Sequence, residues 1–257
     1  MHAAFYRPND VNYEAINNII LEDILKFSRD CLTTLNEMHN VLTYNKIWKQ
    51  RLVNIGTYSY KTCFDYGLTG VLARCTGLKR DLRLSRLDTY ANYASINFKS
   101  YIGQHGDCYD RFLIRMYEMV ESLSIINQTI KKCTSVSTTN INSSFDCYDI
   151  LNYVTQHNTK KIYNSNLLME TTINDFKYWS DNISIESNLL CKTIESPKGE
   201  FGVTIFSDAS NKPYKVKVRS PAYHHMQVCP KLSKGHFLAD LVAIIGTVDI
   251  VFGEIDR

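Results

Sequence analysis

Gly106-Asp-Cys-Tyr-Asp-Arg-Phe-Leu-Ile-Arg-Met-Tyr-Glu-Met-Val-Glu-Ser-Leu-Ser-Ile-Ile-Asn-Gln-Thr-Ile130 is the most strongly patterned stretch of this chain. Phe112, Met116, Met119, Leu123, Ile126 and Ile130 recur at alternating steps of four and three, the seam of a helix built to pack on another helix. Asp107 and Asp110 stand at its start and Lys131 and Lys132 at its end, matching the helix dipole. Glu118 and Glu121 fall within a turn or two of Arg111 and Arg115. A long amphipathic helix is predicted upstream, over residues 12–44. There Ile20, Ile24, Phe27, Cys31, Leu35, Met38 and Leu42 form one stripe, and Glu22, Asp23, Lys26 and Arg29 lie off it. A shorter helix is expected from Tyr60 towards Leu72, ending near Gly67-Leu-Thr-Gly70, and residues 73–104 read as irregular.

Downstream the pattern weakens. Residues 134–145, rich in Ser, Thr and Asn, read as a flexible linker, and 146–182 as one or two amphipathic helices. Phe201–Phe206 and Tyr214–Arg219 alternate like the two strands of a β-hairpin, with Tyr214, Val216 and Val218 on one face and Lys215, Lys217 and Arg219 on the other. A last helix is expected from Ser233, as N-cap, to Ile245, followed by an apolar tail. The resulting fold class is α+β, mainly helical. Residues 1–133 form a helical core portion, 134–145 the linker, and 146–257 helices, a hairpin and the C-terminal helix and tail.

Composition excludes several functions. The 257 residues are 44% hydrophobic and 21% charged, with a net charge of +3 and dispersed Lys and Arg, so nucleic acid is not expected as a partner. None of the 8 Cys forms a Cys-x-x-Cys pair, which suits neither a zinc ribbon nor a ligated cluster. They are expected to be reduced and intracellular. No apolar run approaches the roughly 20 residues of a membrane span, and the N-terminus lacks the apolar region of a signal peptide.

Candidate chemistry is sparse. His236 and Asp240, four residues apart on the expected last helix, suit either a proton-handling pair or a buried hydrogen bond that fixes the helix. His224, His225 and His236 could suggest a metal, but adjacent histidines on an extended segment point to opposite sides. Lys79-Arg-Asp-Leu-Arg-Leu-Ser-Arg86 could hold a phosphate or an acidic partner, or be a solvated face with local ion pairs. Pro197-Lys-Gly-Glu-Phe-Gly202 lacks Walker spacing and leads into a strand, so a tight turn is expected there and not a nucleotide site. The tail embeds Asp249, Glu254 and Asp256 among Ile250, Val251, Phe252 and Ile255, charges expected to be kept for pairing or function.

Taken in order, eleven short motifs carry a family resemblance. They are Met1–Pro8, Asn45-Lys-Ile-Trp48, Asp81-Leu-Arg83, Gly106–Arg111, Glu118-Met119, Pro197–Gly202, Ser207-Asp208, Lys234-Gly-His236, Ala243–Thr247, Asp249–Glu254 and Asp256-Arg257. The chain resembles subunit 7 of the NADH dehydrogenase of respiratory complex I, a family related to the nickel–iron hydrogenase large subunit. The match is weak over roughly 133–190, where helical character alone carries over.

The resemblance implies a hydrogenase-like helical core in a peripheral-arm subunit of proton-pumping NADH:ubiquinone oxidoreductase, not catalytic alone. Such a subunit encloses ubiquinone beside a [4Fe-4S] cluster held by a neighbouring subunit, and binds no metal itself. Asp249, Val251 and Phe252 match quinone-site positions, with Asp249 expected to be buried and Val251 and Phe252 to form apolar wall. His236, Asp240, Glu254 and Arg257 match supporting positions. The location implied is the matrix side of the mitochondrial inner membrane, or the cytoplasmic side of a bacterial plasma membrane. Expected partners are the cluster-bearing subunit, other peripheral- and membrane-arm subunits, and a second polypeptide carrying the family's upstream half, with its His-Arg-Gly motif. A scaffold fragment and a hydrogenase-type metalloenzyme are the alternatives. The chain departs from the family at Arg7-Pro-Asn-Asp10, Arg74-Cys-Thr-Gly77 and His224-His225-Met226.

Overall fold

The computed structural model describes residues 18–85, 90, 92–138 and 186–256. The chain divides into two compact units, one of Met1–Thr134, Thr193–Gly202 and Arg219–Arg257, the other of Ser135–Lys192 and Val203–Val218. The fold is a mixture of helices and a small sheet.

The first unit is organised around the two patterned helices. Helix α1 (Asn18–Met38) runs into a π-helical turn at His39–Thr43, followed by α2 (Lys46–Leu52), α3 (Tyr60–Asp65) and α4 (Val71–Arg74). Helix α5 (Cys108–Thr138) begins where Asp107 Oδ1 accepts the Asp110 N–H at 2.8 Å, an N-cap bond. Leu35 of α1 packs with Met116 and Leu123 of α5, flanked by Cys31, Phe112 and Ile126. Ser28 Oγ donates to Asn127 Oδ1 at 3.1 Å along the same contact. The seam therefore works largely as expected, but Ile20, Phe27, Met38 and Met119 stay exposed and are left for other surfaces.

A second core gathers Leu52, Leu72, Ile114, Val228, Ile244 and others, with Trp48 edge-on to Phe112 at 5.5 Å. Two buried arginines cross this unit. Arg74 meets Glu118 at 2.7 Å, Glu195 at 2.8 Å and Asp81 at 3.8 Å. Arg111, fully buried, donates to the carbonyls of Gly56 and Gly106 and stacks over Tyr58. Glu118 thus serves Arg74, and Glu121 accepts the Tyr101 hydroxyl at 2.9 Å.

Several expectations are corrected. The helix from Tyr60 ends at Asp65, because Gly67 and Gly70 adopt φ of 62° and 67° and turn the chain before α4. The hairpin is two strands of a three-stranded sheet, β1 (Leu189–Ser196), β2 (Gly199–Phe206) and β3 (Lys215–Arg219), in the order β1-β2-β3. A helix not foreseen, α6 (Pro221–Ser233), carries His224 and His225, which therefore do not oppose each other as on a strand. Ser233 closes that helix instead of capping the next one. The next helix, α7, spans Leu238–Val248, and α8 spans Phe252–Asp256. Helix α5 reaches Thr138; the rest of 139–145, residues 146–182 and Arg257 lie outside the described residues.

Candidate functional site

Helix α7 is apolar almost throughout, and its C-terminus is stopped by Asp249. Asp249 has φ 60° and ψ 58°, a left-handed conformation that Asp tolerates better than bulkier residues. Its N–H closes the helix on the Ile245 carbonyl at 3.2 Å. The turn throws the carboxylate away from the helix, where two cations from distant parts of the chain meet it. Arg115 Nη1 lies 3.1 Å from Oδ2, and Lys198 Nζ lies 3.0 Å from Oδ1.

Each cation is held in its turn. Arg115, on α5, also donates to the Thr247 carbonyl at 3.2 Å, one of the carbonyls a helix end leaves without an internal partner. Burial lowers its pKa, and nearby Arg111 and Arg74 add to this against the pull of Asp249 and Glu118. One turn earlier, Arg111 Nε donates to Thr247 Oγ1 at 3.3 Å. Lys198 sits in the turn between β1 and β2. That turn is fixed by Ser196 Oγ donating to the Gly199 carbonyl at 2.8 Å and by the Glu200 N–H donating to Thr69 Oγ1 at 3.0 Å. Gly70 lies so close beneath that a Cβ there would stand 2.6 Å from Gly199 Cα. His225, fully buried, completes the seat; burial drops its pKa to about 3, so the ring is neutral and Nε2 accepts the Thr69 N–H.

In this chain by itself the Asp249 side chain is 38% exposed, beside its two cations. Val251 is 39% exposed and Phe252 63%, while Ile250 packs on the core and α8 lies against α6. Phe237, Leu238 and Val242, towards the other end of α7, are exposed as well.

The other candidate residues are placed as follows. Asp240 is buried in the first turn of α7, where Oδ2 accepts the Phe237 N–H at 3.2 Å and Oδ1 meets Arg51 at 3.2 Å. His236 precedes the helix, so the expected pairing of His236 with Asp240 is not made. Glu254 accepts the Ser220 hydroxyl through its backbone carbonyl at 3.3 Å. Within the basic cluster, Arg83 pairs with Asp81 at 2.7 Å and Arg80 with Glu200 at 2.9 Å, so these charges are used internally.

A family model for the 49 kDa subunit of respiratory-chain NADH dehydrogenase matches residues 1–257. The chain belongs to this family. It is 62% identical over 258 residues to a NADH-ubiquinone oxidoreductase 49 kDa subunit of Paramecium tetraurelia, covering 100% of this chain and 64% of that protein. It is 39% identical over 257 residues to a subunit of the NADH-quinone oxidoreductase of Rickettsia typhi, covering 100% of this chain and 62% of that protein. A 49 kDa subunit of Acanthamoeba castellanii is 40% identical over 262 residues, with 100% of this chain and 60% of that protein covered. The chain thus spans under two thirds of the length of these family members.

Sequence reading singles out Asp249 but not its two cations. Arg115 is 134 residues away and Lys198 is 51 away, and no local pattern announces such a meeting. The available signal is the Pro197-Lys-Gly turn itself, which carries a lysine on a tight turn without being a phosphate loop.

Proposed function

We propose that this chain forms part of the quinone-reduction cavity of a proton-pumping NADH:ubiquinone oxidoreductase, beside a [4Fe-4S] cluster carried by a neighbouring subunit. The observation that carries the reading is the Asp249 carboxylate, held between Arg115 and Lys198 at the margin of the exposed tail residues Val251 and Phe252. A quinone needs this combination. Its ring and prenyl tail favour apolar walls, and its two carbonyl oxygens favour a few placed polar groups. The cluster supplies electrons; reduction to quinol takes two electrons and two protons. In this reading Val251 and Phe252 bear on the ring or tail, and Asp249 fixes the local charge. Asp240 and Glu254 hold the flanking elements, with His236 and Arg257 as further support.

The same reading covers the rest of the assembly. The core is of the hydrogenase-large-subunit type. The partners are the cluster-bearing subunit and the other subunits of both arms. The site of action is the matrix face of the mitochondrial inner membrane, or the equivalent bacterial face. This is supported by relatives named for NADH-ubiquinone and NADH-quinone oxidoreductases. Among the described residues no helix is long and apolar enough to cross a membrane, which fits peripheral attachment.

The test is Val251→Met and Asp249→Ala in the assembled complex. A change in quinone KM or in sensitivity to quinone-site inhibitors is expected. Normal assembly with neither quantity altered would favour a structural scaffold.

A further inference from the structure

We propose that Lys198 is a positioning residue of this quinone site, acting through Asp249 to place a surplus positive charge at the edge of the apolar tail. The inference rests on the quinone-site reading above and adds a residue to it. Three elements converge here: the β1–β2 turn brings Lys198, α5 brings Arg115, and the end of α7 brings Asp249. Each carboxylate oxygen takes one cation, so Asp249 cannot turn without breaking an ion pair. Two cations on one carboxylate leave a net charge of +1.

That cluster is not sealed in the core. Side-chain exposure is 24% for Arg115, 26% for Lys198 and 38% for Asp249, and the apolar residues Val251 and Phe252 follow within three positions. A ligand on the tail would therefore meet both an apolar surface and a positive rim. The ligand class that gains from both is a carbonyl-bearing redox ring, whose oxygens gather negative charge as electrons arrive and before protons do. Positive charge placed there in advance favours the reduced forms without reorganisation.

The turn carrying Lys198 is built to be rigid. Gly199 and Gly70 touch backbone to backbone, with a virtual Cβ of Gly70 only 2.6 Å from Gly199 Cα. The Ser196 and Thr69 hydroxyls and the buried His225 fix both sides of it. A surface lysine kept merely for solubility needs no such seat.

The experiment uses the assembled complex in membranes carrying Lys198→Met, Lys198→Arg, Asp249→Asn and the Lys198→Met/Asp249→Asn double variant. NADH oxidation is followed with a short-chain ubiquinone and, separately, with hexaammineruthenium(III), which takes electrons upstream of the quinone. Lys198→Met is expected to lower the quinone kcat/KM roughly tenfold with the ruthenium rate unchanged. Lys198→Arg should restore most of the loss, and the double variant should be little worse than Asp249→Asn alone, because residues acting through one contact are not additive. Unchanged quinone kinetics in Lys198→Met, alongside a shifted KM in Val251→Met, would overturn the role of Lys198 and leave the quinone site standing. Unchanged kinetics in both would overturn the site itself. Additive losses in the double variant would show that Lys198 does not act through Asp249. If Lys198→Met does not assemble, Lys198→Gln carries the same comparison. Failure of both neutral variants to assemble would make Lys198 a folding residue and overturn the proposal.

Discussion

Arg51 and Asp240 hold the start of the C-terminal helix to the body of the first unit: Nη2 of Arg51, on α2, lies 3.2 Å from Oδ1 of Asp240, on α7. The other carboxylate oxygen takes the Phe237 N–H at 3.2 Å, and the side chain is 5% exposed. Asp240→Ala removes both interactions. The helix cap accounts for about 1 kcal/mol. The ion pair adds little, since Arg51 is 49% exposed and solvent screens it. Thermal inactivation of the complex should come a few degrees earlier, with Asp240→Asn closer to wild type because its amide oxygen still caps.

The Arg74 cluster is a larger liability. Arg74 is 2% exposed and meets Glu195, itself 5% exposed, and Asp81 at 2%. Burial raises the pKa of Glu195 despite the nearness of Arg74, a sign of how costly its charge is in that place. Arg74→Met leaves Glu195 without its ion-pair partner while Asp81 keeps Arg83, at a cost of about 3–5 kcal/mol. Native gels should show little assembled complex. Replacing Arg74 and Glu195 together by apolar residues, with Asp81 left to Arg83, should recover much of it.

His225 gives the fold a pH dependence of definite sign. Its pKa falls to about 3 through burial first, then through the charges of Arg115 and Arg219. Below about pH 6.5 the unfolded chain takes up a proton that the folded chain refuses. Stability from this group is therefore complete above that pH and declines as pH falls towards 3, by at most ~1.4 kcal/mol per pH unit. His225→Gln should flatten the dependence of the unfolding midpoint on pH between 4 and 6.5.

Gly70→Ala tests the seat of the Lys198 turn. A methyl group there meets Gly199 Cα at 2.6 Å, on a residue whose φ is 67°. The backbone must shift, at a cost of about 1–3 kcal/mol. Quinone kcat/KM should fall along with the loss of stability, because the displaced turn carries Lys198 away from Asp249.

What the sequence showed depended on how local each signal was. Helix α5 was legible because its four-and-three spacing repeats for five steps and its partner α1 carries a matching stripe. Helix α6 was missed although Ser220-Pro221 is a good start and Ala222, His225, Val228 and Leu232 are buried at helical spacing. Pro230 and the paired histidines masked the pattern. Strand β1 was missed because its first residues, Leu189, Leu190, Cys191 and Lys192, are all exposed and so show no alternation. The site was half legible. Asp249 and the apolar tail stand in one short motif, while Lys198 and Arg115 reach it only through the folded chain.

The central claim is most directly tested by a density map of the assembled complex with a quinone or a quinone-site inhibitor bound. The account expects ligand density within about 4 Å of Val251 or Phe252, with the Asp249 cluster at its edge and the terminal cluster's subunit opposite. Ligand density elsewhere, with this tail covered by protein, would contradict it.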